Sequence, residues 1–303
     1  MKKICSVIVC LLLAVSLVAC GGSPASSQAS VPDSAPAASQ AGASSVSVAA
    51  LDDSAGDDAT IQEQVLLDAE GVKVTATALD PVGDWGPEIK VLVENNGERA
   101  VTVQVRNCSI NGYMVEPTFS CDVAPGKKSN AAVSFMASDM ERSGIETIGN
   151  VELTFHVVDT ETYDTVFDSD VVVIETSAAG SVAAASGPAG EALFDQDGVR
   201  ITFAGFDDAD LFGAGFWFYI ENSTDTPITV QARDSSINGF MVEGTMSADV
   251  MPGKVRYSSL SFFDTDLQDN GVESVDDLEL KFHIFHTDTF DTIMDSEAIA
   301  ITP

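Results

Sequence analysis

One stretch of this 303-residue chain occurs twice, and this repeat constrains the fold more than any other feature. Residues 109–116 read Ser-Ile-Asn-Gly-Tyr-Met-Val-Glu, and residues 236–243 read Ser-Ile-Asn-Gly-Phe-Met-Val-Glu, an offset of 127 residues. The same offset, without a gap, also matches a Glu-Asn turn, a Pro-Gly-Lys turn and a Phe-His pair. The sequence therefore predicts one module written twice, at residues 61–176 and 191–303, with a linker at residues 177–190.

Each module contains short runs of β-branched and aromatic residues at regular spacing, separated by turn residues. The strands that we predict in the first module cover residues 72–79, 89–94, 100–108, 113–123, 131–136, 151–158 and 165–175. In the sixth of these, alternation places Val151, Leu153, Phe155 and Val157 towards the core and His156 towards solvent. One buried and one solvated face is typical of antiparallel sheets, and about seven such strands favour an immunoglobulin-like sandwich.

Turn and helix signals lie between these strands, and the second module repeats them. The Asn-Gly pairs at 96–97 and 111–112 supply the positive-φ residues of tight hairpins. The Pro-Gly pair at 125–126 predicts a turn with glycine at positive φ. Residues 138–141 form a capping-box pattern and Gly144 follows as a C′ glycine, which together predict one short helix.

The Glu-Asn-Asn-Gly turn at 94–97, the Ser-Ile-Asn-Gly-Tyr-Met run at 109–114 and the Pro-Gly-Lys turn at 125–127 resemble a repeated domain of lipoproteins from Gram-positive bacteria. That domain is similar to telokin-like, immunoglobulin-like modules, most of which lack an assigned function. The resemblance covers both modules and implies a fold and a setting, but no catalytic residues. The predicted class is all-β, with two tandem immunoglobulin-like antiparallel β-sandwiches, each with one short helix.

The first twenty residues predict export and a lipid anchor. Lys2 and Lys3 precede a short apolar run at residues 4–18, which is the pattern of a secretory signal peptide. The Leu-Val-Ala-Cys run that ends at Cys20 resembles a lipobox, which implies lipidation of Cys20 and removal of residues 1–19. We therefore expect a lipid-anchored protein on the extracytoplasmic face of the cell membrane. An uncleaved anchor and a plain secretory signal are the alternatives.

The composition of two segments predicts that they are spacers. Residues 20–60 carry the lipidated Cys20 and are rich in Ser, Ala and Pro, with too few large apolar side chains to offset the entropy of ordering. We predict a disordered tether there. The linker at residues 177–190 has the same composition and is interpreted as a second, shorter spacer.

The charge of the chain excludes one class of partner. With 14 Lys and Arg residues against 47 Asp and Glu residues, the net charge is −33, so nucleic acid is not expected to bind. The acidity favours solubility, and binding of a cation or of a basic partner is the alternative interpretation. Residues 266–277 carry a trace of an EF-hand loop but lack the bidentate glutamate. We predict no cofactor and no metal, with calcium as the alternative.

Two cysteines follow the anchor, and both lie in the first module. Their counterparts in the second module are Ser235 and Ala248. The second module therefore lacks both cysteines together, which is what a disulfide in the first module would produce. A two-residue Asn-Gly turn, however, places Cys108 opposite Val115 rather than Cys121. A disulfide and two free thiols therefore remain as alternatives.

The sequence offers no arrangement for catalysis, and we predict that the protein is not an enzyme. It has no Gly-x-Ser-x-Gly elbow, and His156 and His283 lie on faces that we expect to be solvated. Six residues are candidates for contact with a partner, since they are bases, aromatics or methionines at equivalent places in both modules: Arg106, Tyr113, Met114, Arg233, Phe240 and Met241.

Each candidate also has a structural explanation. A lone arginine on a strand of an acidic domain pairs with a carboxylate across the sheet. Residues 113–114 and 240–241 begin the strand that returns from a hairpin. The function that we predict is non-enzymatic binding at the cell surface, with a protein or a cell-envelope polymer as ligand. A calcium-stabilised spacer and an accessory subunit of an envelope enzyme are the alternatives.

Overall fold

The computed structural model describes residues 59–210 and 213–303. Within these ranges the chain forms twenty β-strands and two short α-helices. The predicted signal peptide, Cys20 and nearly all of the predicted tether lie outside them. Neither of the helices found in the described residues is long and apolar enough to span a membrane.

The first repeat contains ten strands and one helix. They are β1 (Gln64–Ala69), β2 (Val72–Asp80), β3 (Glu88–Asn95), β4 (Val101–Ile110), β5 (Tyr113–Met114), β6 (Ser120–Val123), β7 (Lys127–Ser134), α1 (Ala137–Arg142), β8 (Asn150–Asp159), β9 (Thr165–Asp168) and β10 (Val172–Glu175). One sheet has the order β1-β2-β3-β7, and the other runs β10-β8-β4, with β5 and β6 paired to β4 and β9 paired to β8. A single hydrophobic core contains residues from both sheets.

The second repeat has the same elements in the same order. They are β11 (Ala192–Gln196), β12 (Val199–Asp210), β13 (Gly213–Asn222), β14 (Ile228–Ile237), β15 (Phe240–Met241), β16 (Ser247–Val250), β17 (Val255–Phe263), α2 (Asp264–Asp269), β18 (Leu278–His286), β19 (Thr292–Asp295) and β20 (Ile299–Ile301). The predicted all-β, antiparallel class is confirmed, and a second hydrophobic core lies within this repeat.

The alternation at residues 151–157 is confirmed. Val151, Leu153, Phe155 and Val157 are fully buried in the core of the first repeat, and the matching residues of β18 are fully buried in the core of the second. Because β8 and β18 each contribute every second residue to a core, the period-2 pattern predicted these positions correctly.

The two repeats share a sheet, which the sequence did not predict. Val255 of β17 pairs in parallel with Tyr113 of β5, and the Val255 N–H donates to the Gly112 carbonyl at 3.0 Å. This pairing joins β11-β12-β13-β17 of the second repeat to the β10-β8-β4 sheet of the first. In the described residues the result is one ten-stranded sheet flanked by sheets of four and six strands.

Three strand predictions need correction. The predicted strand at 165–175 is two strands, β9 and β10, which pair with different parts of β8. The predicted strand at 113–123 is two strands, β5 and β6, because the chain between them leaves β4 and makes an isolated bridge from Thr118 to Ser134 of β7. Strand β1 was missed. Its register shifts between Val65 and Leu67, so two consecutive leucines are buried and the period-2 pattern is lost.

The helix signals predicted the end of the helix correctly but not its start. Helix α1 begins after Met136, with no side-chain cap, so the capping box that would have started it at Ser138 is wrong. Its end is as predicted: Gly144 has φ +63°, and the Ile145 N–H donates to the Met140 carbonyl at 2.8 Å. These contacts close the helix as a Schellman motif.

The Asn-Gly pair at 96–97 does not form a hairpin, because β3 and β4 belong to different sheets. Asn95 is buried here, and its side-chain amide donates to the carbonyls of Arg99 and Val123, each at 2.8 Å. Its side-chain oxygen accepts from the Gly97 N–H at 2.9 Å. Asn222 makes the equivalent contacts in the second repeat. In each repeat this asparagine therefore stabilises the connection between the two sheets.

Candidate interaction surface

The repeated octapeptide forms a two-residue hairpin, as predicted. Ile110 pairs with Tyr113, and the turn residues Asn111 and Gly112 have φ of +51° and +90°. The second copy pairs Ile237 with Phe240 across the same turn. Positive φ at both central positions is the type I′ geometry that suits the twist of a hairpin.

Hydrogen bonds from the turn asparagine to a neighbouring loop hold each hairpin in place. The side-chain amide of Asn111 donates to the Thr147 carbonyl at 2.8 Å, and its oxygen accepts from the Gly149 N–H at 2.8 Å. Asn238 makes the same kind of contacts with Ser274 and Asp276. The asparagine therefore sets the turn and also holds the loop that leads into β8 or β18, so the two hairpins project from their repeats in the same way.

The first hairpin is docked on the second repeat. We call Tyr113, Met114 and Glu116 the docked tip. Tyr113 is only 9% exposed, and its ring lies parallel to that of Tyr257 at 6.4 Å between centroids. Met114 is 7% exposed and belongs to the hydrophobic core of the second repeat, whereas Tyr219 of the second repeat belongs to the core of the first. The two cores therefore exchange side chains across the contact.

The linker completes this contact. The Tyr113 hydroxyl accepts from the Ser186 N–H and donates to the Ser186 carbonyl, each at 3.0 Å. Gly187 passes so close to Tyr219 that a Cβ there would lie 2.5 Å from the ring. The segment at residues 177–190 is thus packed against both repeats, although its composition predicted a free spacer.

Charged side chains surround the apolar contact. Lys254 lies 2.5 Å from Glu152, and Arg256 lies 2.6 Å from Glu116. Lys254 and Arg256 are 17% and 16% exposed, but Glu152 is 29% and Glu116 is 73% exposed, so only the Lys254–Glu152 pair is well shielded from solvent. In both pairs the acid comes from the first repeat and the base from the second.

A cation–π contact lies next to these ion pairs. The Arg142 guanidinium lies 3.3 Å from the centre of the Trp217 ring, beside a cavity of about 210 Å³ between the repeats. Burial raises the pKa of the Asp139 carboxyl in this cavity, an effect that the charge of Arg256 opposes. Burial also raises the pKa of Tyr219, which keeps its phenol neutral within the contact.

The second hairpin is exposed. We call Phe240, Met241 and Glu243 the free tip. Phe240 is 48% exposed and Met241 is 69% exposed. In the described residues β15 pairs only with β14. The same sequence motif is therefore buried in one repeat and presented to solvent in the other.

A groove of about 540 Å³ lies beside the free tip. It is lined by Arg233, Asp234, Met241 and Glu243, together with the backbone of β14. The structure thus brings together two of the predicted partner-contact residues, Arg233 and Met241, on one open surface that offers a base, two acids and a thioether. Such a surface suits a polar peptide segment better than a small apolar ligand.

The predicted pairing of the two arginines with carboxylates is not found. Arg233 is exposed and donates to the side chain of Gln231 at 3.2 Å. Arg106 is also exposed, and no ion pair of the described residues includes it. Lys281 pairs instead with Asp234 at 3.0 Å. Both arginines therefore keep a guanidinium available at the surface of β4 and β14.

The two histidines are buried, which corrects the prediction of solvated positions. His156 lies 2.5 Å from Asp168, and His283 lies 2.5 Å from Asp295. Each pair bridges neighbouring strands of one sheet, β8 with β9 or β18 with β19. Period-2 alternation correctly assigned the histidines to the outer face, but the adjacent strand and its aspartate cover that face.

The two cysteines are free thiols, so the disulfide alternative is not supported. Strand pairing places Cys121 opposite Val103, five positions before Cys108 on β4. At roughly 3.3 Å per residue the two cysteines are about 16 Å apart along the strand. A disulfide requires Cα atoms within about 7 Å. In the second repeat Ser235 replaces Cys108 and donates to the Val242 carbonyl at 2.6 Å.

The EF-hand-like segment begins in a helix and continues as a loop. Residues 266–269 form the end of α2, and the Asn270 side chain donates to the Asp266 carbonyl at 2.8 Å. Among the described residues, no group of three or more histidine, cysteine, aspartate or glutamate side chains is arranged to hold a metal ion. The carboxylates of this segment therefore do not converge as calcium ligands would.

Sequence reasoning missed the residues that receive the docked tip. Trp217, Tyr219 and Tyr257 stand where the first repeat has Lys90, Leu92 and Asn130. All three point outward from β13 or β17, where a large aromatic side chain is unexpected on a free sheet face. This difference between the repeats is the signal that could have located the contact.

Comparisons with solved structures give matches of low TM-score and low sequence identity. The YadV chaperone is 11% identical, with a TM-score of 0.23, over 71% of this chain and 92% of its own. A chain in a complex of the Salmonella enterica SafA pilin with the SafB chaperone is 13% identical, with a TM-score of 0.21, over 71% of this chain and 89% of its own. No protein-family model and no curated protein matched this chain. Matches at these TM-scores carry no argument about function.

Proposed function

We propose that this protein is a non-enzymatic binding protein, held by a lipid anchor on the extracytoplasmic face of the cell membrane, whose free tip contacts the ligand. The observation that carries the proposal is the difference between the two hairpins. The docked tip buries Tyr113 and Met114 in a contact between repeats, while the free tip leaves Phe240 and Met241 exposed. The contact of the docked tip within the chain supports the proposal, because it shows the same motif packed against a folded β-sheet.

The chemistry of the free tip supports a protein ligand over other classes. An exposed aromatic ring and a flexible thioether provide apolar contact that adapts to a partner, and Arg233 with Glu243 provides polar specificity. The net charge of −33 disfavours nucleic acid and anionic polymers. Strand β15 is short and exposed, so a partner strand can also pair with its backbone.

The lipid anchor in this proposal comes from the lipobox-like run before Cys20. Two or three acyl chains hold a protein at a bilayer durably, since each buried methylene contributes about 0.8 kcal/mol. Cells that produce the full chain should incorporate labelled palmitate, and Cys20→Ala should abolish the label. Label that persists in the variant would remove the anchor from the proposal without affecting the binding tip.

Photo-crosslinking tests the binding tip. A benzophenone amino acid at position 240 of the full chain should form ultraviolet-dependent adducts on intact cells. The control carries the same amino acid at position 290, because Phe290 is also exposed but lies in the turn between β18 and β19. Adducts at position 240 that exceed those at 290 support the proposal. Equal or absent adducts at 240 would overturn it, whatever the identity of the ligand.

A further inference from the structure

We propose that the free tip docks on strand β7 of a second copy of this chain, repeating between molecules the contact that joins the two repeats within one. This inference rests on the proposed function of the free tip and names its partner. The basis is the internal repeat: β17, which receives the docked tip, corresponds to β7, and β7 is an edge strand.

Strand β7 offers the backbone that this contact needs. Val255, which pairs with Tyr113 in the docked contact, corresponds to Lys128 of β7, and the free tip presents Phe240 in place of Tyr113. Strand β7 ends the β1-β2-β3-β7 sheet, and the bridge from Thr118 to Ser134 covers only its far end. The segment from Lys127 onwards is therefore an open edge in the described structure. Such an edge is a template for another strand.

Charge favours the same pairing. In the docked contact Glu152 of the first repeat pairs with Lys254 of the second. The equivalent residues of the proposed contact are Glu279 beside the free tip and Lys127 on β7, so an acid again faces a base. Lys127 is exposed, and the described residues show no ion pair for it. Two acidic chains repel one another, so a matched acid–base pair at this point favours the contact between copies.

Edge lysines often prevent unwanted strand pairing. Here the approaching hairpin brings Glu279 to Lys127, so this lysine meets an opposite charge, whereas Glu243 faces Ser129, which stands where the docked contact has Arg256. The existing ion pair of Lys128 with Glu94 leaves the lysine largely exposed and able to turn towards the hairpin.

The contact between copies is weaker than the docked one. Asn130 and Leu92 replace Tyr257 and Tyr219, so the free tip gains less aromatic packing. Phe240 also lacks the hydroxyl through which Tyr113 hydrogen-bonds Ser186 of the linker. Display of many copies on one surface compensates, because a high effective concentration favours weak contacts. Since the tip and the edge are different surfaces, the contact is heterologous and extends into chains of copies.

Cysteine crosslinking in cells tests the inference with the full chain. In the Lys128→Cys, Phe240→Cys double variant the two thiols occupy bridge-partner positions, about 5 Å apart between Cα atoms, which a disulfide can span. Mild oxidation should give a reducible ladder of dimers and larger multiples. Tyr113→Cys with Val255→Cys is the matched positive control, because it should close within one chain. Lys128→Cys with Phe290→Cys is the negative control.

Mixing two tagged chains tests the polarity. Co-produced Lys128→Cys and Phe240→Cys single variants should form mainly disulfides between unlike tags. The inference is overturned if the double variant gives no more multiples than the negative control while the positive control oxidises, or if like-tag dimers predominate. Benzophenone adducts at position 240 that contain only a different macromolecule would also overturn it, although the proposed binding function would stand.

Discussion

Met114 and Met241 are the same residue at the same place in the repeat, and they differ in what lies opposite them. Met114 faces the aromatic surface of β13 and β17 and is 7% exposed, whereas Met241 is 69% exposed. A thioether side chain tolerates both surroundings because it is apolar, flexible and unbranched. At this scale, conservation of a residue type between the repeats does not imply a common role.

The cysteines give the first prediction at the residue scale. Cys108 and Cys121 are buried, and burial raises the pKa of the Cys108 thiol well above its ordinary value, which removes the reactive thiolate at neutral pH. Without reductant, the folded protein should resist iodoacetamide at both positions. After denaturation in guanidinium, mass spectrometry should show that both thiols are alkylated. A denatured chain that takes up alkyl groups at these positions only after reduction would contradict the free thiols.

Asn95 gives a second prediction, since its side chain satisfies the carbonyls of Arg99 and Val123 at the crossover between sheets. Asn95→Ala should lower the free energy of unfolding by about 2–3 kcal/mol, because buried carbonyls lose their donors. Asn130→Ala on exposed β7 is the control and should change it by less than about 0.5 kcal/mol. Urea denaturation measures both. Equal effects would contradict the role of the crossover asparagine.

At the scale of elements, the linker is the segment whose behaviour departs most from its composition. Gly187 lies against the Tyr219 ring, whereas a Cβ on Gly180 would meet nothing within 4 Å. Gly187→Ala should therefore destabilise the protein by about 1–3 kcal/mol through overpacking, while Gly180→Ala should be nearly neutral. Thermal unfolding compares the two. A neutral Gly187→Ala variant would mean that the linker is not packed against the second repeat.

The elements also show what a single sequence can predict. The repeat, the alternation at 151–157 and the Asn-Gly hairpin are local patterns, and each was predicted correctly. The predictions of a capping box at Ser138 and of a hairpin at 96–97 were wrong. The same short sequence patterns are compatible with several backbone conformations, and contacts between residues distant in sequence determine which one forms. The docked tip was missed because it depends on aromatic residues more than a hundred positions away, and only a position-by-position comparison of the two repeats would have pointed to them.

At the scale of the whole molecule, the described repeats form one mechanical unit. A shared sheet, exchanged core residues, the packed linker and two ion pairs connect them. The aromatic side chains of this contact, Trp217, Tyr219 and Tyr257, have no aromatic counterparts in the first repeat, so duplication supplied the module and divergence supplied the surface that receives the docked tip. The same divergence left the second hairpin exposed, and that exposure carries the proposed function.

The central claim is that one hairpin joins the repeats and its copy is free. Met114→Ala and Met241→Ala make the same chemical change at the two places, so calorimetric unfolding of the pair in dilute solution tests the claim most directly. Met114→Ala should lower the free energy of unfolding by about 2–5 kcal/mol, as expected for a buried methionine. Met241→Ala should change it by less than about 0.5 kcal/mol. Equal losses in the two variants, or a larger loss for Met241→Ala, would contradict the account.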